Sequence, residues 1–199
     1  SGVVGAVGLA ATASTISSRN DKTKPSLSTG KHDIDTSKFD PTAYLSSFDY
    51  GVSSILPSGQ TQREYNITAT DREIEVAPGV YFNAWTYNGT VPGPTIRCTE
   101  GDRLKVNFYN AGTHPHTIHF HGIHASNMDG AFEAVEPGEN FIYEFDAAPM
   151  GFHLYHCHTR PLKRHLHKGL YGAFIIDPVE GRPDANELVM LMNGFDTNF

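Results

Sequence analysis

Residues 104–108 read Leu-Lys-Val-Asn-Phe, and residues 141–145 read Phe-Ile-Tyr-Glu-Phe. In both stretches large apolar or aromatic side chains recur at every second position. Tyr65, Ile67 and Ala69 repeat the pattern earlier in the chain. A period of two is typical of strands that bury one face and leave the other in water. These stretches therefore predict an all-β protein.

Turn-forming pairs separate the predicted strands at short intervals. They are Pro78-Gly79, Asn88-Gly89, Pro92-Gly93-Pro94, Glu100-Gly101-Asp102, Asp129-Gly130 and Pro137-Gly138. Short strands at this spacing favour an antiparallel Greek-key β-sandwich. No long helix is predicted, and the segment 159–168 fits either a short helix or a loop.

Composition agrees with a soluble globular domain. The chain has 199 residues, of which 39% are hydrophobic and 11% aromatic, with 19 Gly and 12 Pro. This length is enough for one sandwich with extensions. The net charge of −7 with neutral histidines gives no basic footprint for nucleic acid or for an anionic membrane.

Three parts of the chain differ in composition. Residues 1–18 are small and weakly apolar, too short to span a bilayer, and are expected to be the remnant of an export signal of the twin-arginine type or a flexible tail. Residues 19–60 are polar and are expected to form a linker or wrapping arm. Residues 61–199 carry the strand pattern and are expected to form the β-sandwich domain.

Histidine is the unusual residue. Ten of the 11 histidines lie between His114 and His167, in the segments His116–His121 and His153–His158. The chain has two cysteines. Cys98 lies in an alternating segment and is expected to be a small buried thiol, whereas Cys157 stands between two histidines.

Strand parity sorts these residues into two sets, because alternate side chains of a strand point to opposite sides. His119 and His121 point together, and so do His156 and His158. His116 and Cys157 have the other parity. A thiolate with imidazoles is the ligand set of a blue copper site, and the four remaining histidines suit further copper ions. Zinc is the competing metal, but it does not require this division.

The third ligand beside His116 and Cys157 is expected shortly after Cys157, where His165 and His167 both qualify. His165 is favoured because Gly169-Leu170 follows at the spacing of an axial methionine. Leucine has no donor atom, so a three-coordinate copper of raised reduction potential is expected.

Three stretches resemble the cupredoxin domains of multicopper oxidases. They read HTIHFHG at 116–122, HLYHCH at 153–158 and NGTVPGPTIRCTEGDRLKVNFYN at 88–110. The stretch PLKRHLHKGLYGAFIIDP at 161–178 is similar to the type 1 copper loop of two-domain, laccase-like oxidases that keep this copper in their first domain. Copper nitrite reductases have a similar loop.

The resemblance implies a role for each ligand. His116, Cys157 and His165 would bind the type 1 copper, and His119 the type 2 copper. The type 3 pair would be bound by His121, His156 and His158. Asp129 would orient water or deliver protons beside this cluster, although a turn Asp before Gly is an equal reading.

Three functions follow as alternatives. The first is a multicopper oxidase that takes single electrons from a small reductant or metal ion and reduces dioxygen to water. Its cluster would be completed by a second cupredoxin domain or a neighbouring subunit, in a homotrimer outside the cytoplasm. The second is a copper nitrite reductase, which would use only His121 and His156 of the four cluster histidines. The third is a blue copper electron carrier, which would use none of the four.

Overall fold

The computed structural model of the chain describes residues 40–197. Ten strands and two short α-helices succeed one another in this part of the chain. They are α1 (Pro41–Leu45), β1 (Phe48–Asp49), β2 (Val52–Ile55), β3 (Thr61–Ala77), β4 (Val80–Tyr87), β5 (Thr95–Thr99), β6 (Arg103–Asn110), β7 (His119–Phe120), β8 (Asn140–Asp146), β9 (Gly151–His156), α2 (Leu162–Lys168) and β10 (Tyr171–Asp177). A 3-10 helix spans Ser126–Met128.

The strands form two sheets. The first has the order β1-β5-β10-β9-β7, and the second has the order β2-β3-β6-β8 with β4 also paired to β3. The β3–β6 and β5–β10 pairs are parallel, whereas β6–β8, β9–β10 and β7–β9 are antiparallel. The predicted all-β sandwich is confirmed.

The core lies between the two sheets and uses the predicted alternation. Ile67, Val106 and Phe108 are buried from the second sheet, and Phe120 and Phe174 from the first. The polar neighbours of Val106 and Phe108 are partly exposed. Each apolar side chain removed from water contributes about 1.5–3 kcal/mol to stability, so the alternating pattern fixes which face of each strand turns inward.

The structure departs from the prediction near the C-terminal end of the arm, which was expected to span residues 19–60. Val52–Ile55 pairs with β3, and Phe48–Asp49 pairs with β5, so residues 48–55 belong to the two sheets. The alternation did not reveal these strands because they are short and lie at sheet edges, where burial imposes little pattern. Residues 1–39, with the predicted export signal, lie outside the described residues.

Two buried tyrosines hold the segment that precedes β7. The Tyr87 hydroxyl donates to the Thr117 carbonyl at 2.5 Å, and the Tyr143 hydroxyl accepts from the Ile118 N–H at 3.0 Å. Burial raises the pKa of both phenols, so both remain protonated. The second sheet thus fixes the position of a chain segment that belongs to the first.

Candidate metal centre

The two histidine-rich segments lie side by side. His119 pairs with His156 across β7 and β9. The N–H of His158 donates to the Thr117 hydroxyl at 3.0 Å, and the N–H of Thr117 lies 3.5 Å from the Cys157 sulfur. Backbone pairing therefore brings together residues about forty positions apart.

A tight loop before β7 sets the position of His116. His116 and Val135 exchange both backbone hydrogen bonds, at 3.0 and 2.9 Å. The Asn110 amide donates to the carbonyls of His114 and Val135, and its oxygen accepts from the Gly112 N–H. Asn110 is fully buried, and its satisfied amide makes this loop rigid.

His116, Cys157 and His165 form a compact set of three donors, here called the Cys/His group. The Nδ1 atoms of His116 and His165 are 3.2 Å apart, and the Cys157 sulfur lies 3.9 and 3.2 Å from them. Three donors bound to one ion at about 2.0–2.3 Å have separations of this size. All three residues are buried, so the donor set fits a single metal ion shielded from water.

Helix α2 carries His165 into this group. The helix ends at Gly169, whose φ is 118°, and a Cβ there would lie 2.5 Å from Val91 and 2.8 Å from the Trp85 carbonyl. The following residue, Leu170, is fully buried, and its carbonyl accepts from the Cys157 N–H at 3.0 Å. His167 is exposed on the same helix and does not join the group.

Burial keeps the two imidazoles of the Cys/His group neutral, as metal binding requires. Desolvation lowers the pKa of His116 to about 3 and that of His165 to about 4. Both imidazoles are therefore neutral at pH 7, and a neutral imidazole offers a lone pair to a metal ion. The remaining nitrogen of His116, Nε2, is buried without a hydrogen-bond partner.

Trp85 forms the wall between this group and the surface. Its ring centroid lies 5.1 Å from that of His116 and 4.8 Å from that of His165. His114 packs against it at 4.5 Å, and the Arg164 guanidinium carbon lies 5.1 Å from its centroid. Trp85 was missed in the sequence because it lies 31 positions before His116 on a different strand, with no motif around it.

The other four histidines form a second set, here called the four-histidine group: His119, His121, His156 and His158. The Nε2 atoms of His121 and His156 are 3.0 Å apart. The His119 ring centroid lies 5.0–5.1 Å from those of the other three. Donor atoms of His119, His121 and His156 lie within 4.8 Å of one another, which fits metal binding.

Hydrogen bonds to backbone carbonyls determine which ring nitrogens of His119 and His156 keep a lone pair for a metal. His119 Nδ1 lies 2.8 Å from the Asp129 carbonyl, and His156 Nδ1 lies 2.9 Å from the Cys157 carbonyl. An imidazole that donates through Nδ1 keeps the lone pair of Nε2 for a metal. Burial also lowers the pKa of His121 and His156, so it favours their neutral form.

Asp129 ends the 3-10 helix and contacts the Nδ1 edge of the His119 ring. Its carboxylate is 3.3 Å from His119 Nδ1 and 3.0 Å from His124 Nε2. The His124 side chain is only 3% exposed, so His124 is a buried partner of Asp129. From the sequence alone, His124 fits a hydrogen-bond partner near the ligands and a solvated side chain equally well.

His114, His153 and Cys98 lie outside both groups. His153 Nε2 binds the Pro149 carbonyl at 2.8 Å, and His114 packs on Trp85. Cys98 is a free buried cysteine, and burial raises the pKa of its thiol to about 12. His32 lies outside the described residues.

The geometry agrees with comparisons to known proteins. Residues 56–181 match the family model described as multicopper oxidase. The chain belongs to the multicopper oxidase family. Copper is the metal of this family, and the two groups of donors fit it.

The similar proteins of known structure or curated function are also copper enzymes. The crystal structure of a multicopper oxidase is 55% identical with a TM-score of 0.78, over 80% of this chain and 58% of that one. A copper-containing nitrite reductase of Neisseria meningitidis is 32% identical over 62% of this chain and 33% of its own length. Laccase-9 of Arabidopsis thaliana is 41% identical over 48% of this chain and 17% of its own. The chain thus spans a third or less of these two curated relatives.

No helix among residues 40–197 is long and apolar enough to cross a membrane.

Proposed function

We propose that this chain is the electron-accepting domain of a laccase-like multicopper oxidase that reduces dioxygen to water. Copper held by His116, Cys157 and His165 would supply one-electron redox chemistry. Further copper ions would be held by the four-histidine group, and a second domain or a neighbouring subunit of a homotrimer would complete their site. The enzyme would act outside the cytoplasm.

One observation carries this proposal: a single residue joins the two groups of donors. The Cys157 sulfur belongs to the Cys/His group, while the Cys157 carbonyl accepts a hydrogen bond from His156 Nδ1 at 2.9 Å. Peptide bonds also connect Cys157 directly to His156 and His158. Electrons that reach Cys157 therefore have a short route to the four-histidine group.

The surrounding residues perform the supporting tasks. Trp85 excludes water from the Cys/His group, because it packs against both imidazoles. The Asp129 carbonyl orients His119, and the Asp129 carboxylate is placed to hold or move a proton beside it. His124 holds that carboxylate from behind at 3.0 Å.

Nitrite reduction is the second candidate, because nitrite reductases match residues of this chain. By the family resemblance that enzyme would use His121 and His156 and leave His119 and His158 without metal. Here His119 lies with His121 and His156 in one set of donors. The close grouping favours the oxidase.

The test is product analysis on the copper-loaded full-length protein. We expect oxygen consumption with a phenolic reductant and no release of peroxide. His119→Gln should abolish oxygen reduction, because the four-histidine group loses a donor, whereas exposed His167→Gln should retain it. Production of nitric oxide from nitrite, undiminished in His119→Gln, would replace the oxidase with the reductase.

A further inference from the structure

Four basic residues cluster on the segment that carries His165. They are Arg160, Lys163, Arg164 and Lys168, here called the basic segment. No acidic residue occurs from 147 to 176, although the whole chain carries a net charge of −7. Arg160, Lys163 and Arg164 are exposed. The segment is thus a cationic surface on an acidic protein.

These cations are not neutralised by the described carboxylates. Within residues 40–197, the Lys and Arg side chains in ion pairs are Arg63, Arg97, Arg103, Lys105 and Arg182. None of the basic segment belongs to this set. Acidic residues lie at its margin: Asp71 and Glu73 of β3 pair with Trp85 and Asn83 of β4. Asp196 follows Phe195, whose ring packs on the Phe82 ring that Lys168 covers. The positive potential of the segment therefore extends into solvent.

The basic segment adjoins the Cys/His group through helix α2 and Arg164. Three of its members share helix α2 with His165. Arg164 packs on the Trp85 ring, which also contacts the rings of His114, His116 and His165. The Trp85 ring thus contacts both the Arg164 guanidinium and the imidazoles of His116 and His165. The surface that attracts anions and the path to the proposed copper thus coincide.

We infer that the basic segment docks an electron-donor protein with an acidic docking face. This inference rests on the proposed function. His165 is only 3% exposed and Trp85 6%, so a donor would deliver its electron from the surface above these residues and not by contact with the buried sulfur. The cations span five helical positions from Lys163 to Lys168, about 7.5 Å along the axis, which suits an extended charged face. One electron leaves the reduced donor and is gained by the oxidised site, without a bond forming or breaking.

Charge steering gives a kinetic test. Opposite charges on two docking faces raise the association rate by 10–10³-fold at low ionic strength, roughly, and salt removes the effect. The copper-loaded protein would be mixed with two reduced monohaem c-type cytochromes, one acidic and one basic. Oxidation of the haem, followed by stopped flow, gives the second-order rate constant for each.

We expect the acidic cytochrome to react faster at low ionic strength and to slow as salt is added. Arg160→Gln/Lys163→Gln should slow it on the order of tenfold and should accelerate the basic cytochrome. Arg103→Gln/Lys105→Gln is the matched control, because it also removes two positive charges, but from β6 of the second sheet. This control should change neither rate beyond error.

Two results would overturn the inference. One is an acidic cytochrome whose rate is unchanged in the double variant, in a protein that binds copper and is blue. The other is a double variant that reacts more slowly with ferrocyanide and at an unchanged rate with the cytochromes, which would assign the segment to small anions. A wild-type protein that binds copper without becoming blue would instead refute the proposed function itself, and the inference with it.

Discussion

Leu170 is the residue through which the chain is expected to set the potential of its Cys/His group. It is fully buried, and its carbonyl accepts a hydrogen bond from Cys157. Leucine offers no donor atom, whereas a thioether would add a weak axial ligand that stabilises Cu(II). The family resemblance assigned this position, and the structure places its backbone beside Cys157.

We therefore expect Leu170→Met to lower the reduction potential of the copper-loaded protein, as measured by redox titration of its blue absorption. Leu170→Ile is the control, since it keeps an apolar side chain without a donor and should leave the potential near that of the wild type. Equal potentials in Leu170→Met and wild type would exclude an axial role.

His116 makes the metal-free protein sensitive to acid. Burial lowers the folded-state pKa to about 3, against about 6.5 in an unfolded chain. As pH falls below 6.5, His116 binds a proton in the unfolded state but not in the folded state, so the free energy of unfolding decreases. From pH 7 to pH 5 this one group should remove about 2 kcal/mol.

Denaturant titrations of metal-free protein at both pH values would measure this loss. His116→Gln should show a smaller loss than the wild type, because glutamine does not titrate. The exposed His167→Gln on α2 should retain the whole loss. An equal loss in His116→Gln and wild type would show that His116 is not responsible.

At the scale of elements, helix α2 places His165, and Gly169 ends that helix in the left-handed region at φ 118°. A Cβ at this position would meet Val91 and the Trp85 carbonyl, so β4 and α2 could not keep their present spacing. Trp85 lies on β4 and His165 on α2, so the contact between their rings depends on this spacing.

We expect Gly169→Ala to destabilise the protein and weaken its blue absorption. Gly181→Ala is a matched control, because its φ is 81° but no atom lies within 4 Å of the added Cβ. Both variants strain the backbone, and only Gly169→Ala adds overpacking, which costs about 1–3 kcal/mol more. Chemical denaturation would show the difference, and equal costs would mean that α2 has room to move.

Which elements could be predicted depended on how far burial imposed a pattern. Leu104, Val106 and Phe108 alternate because β6 has one face in the core. Strands β1 and β2 gave no such signal because they are short, and Val52–Ile55 is exposed at every position. Helix α2 has seven residues, about two turns, which is too few for a helical period to emerge.

The grouping of these side chains could be predicted because parity is a local property of a strand. His116 does fall with Cys157, although the segment before β7 makes only an isolated bridge to Val135. The Trp85 wall and the His124–Asp129 contact could not be predicted, since both depend on how separate elements pack. His165 lies in the Cys/His group and His167 does not, because the one faces the core and the other faces solvent.

For the whole molecule, we expect Cys157 to bind metal and to join two sites, and we expect Cys98 to do neither. The Cys157 sulfur lies 3.2 Å from His165 Nδ1, while both neighbours of Cys157 belong to the four-histidine group. Cys98 is an internal control of the same residue type, buried and free in the core. The two thiols can therefore be compared in one fold.

Visible absorption of the copper-loaded protein tests this claim most directly. A Cu(II)–thiolate site should absorb strongly at roughly 600 nm. We predict that wild type and Cys98→Ser are blue and that Cys157→Ser is colourless, with circular dichroism confirming that all three are folded. A folded Cys157→Ser that keeps the band, or a folded Cys98→Ser that loses it, would contradict the account.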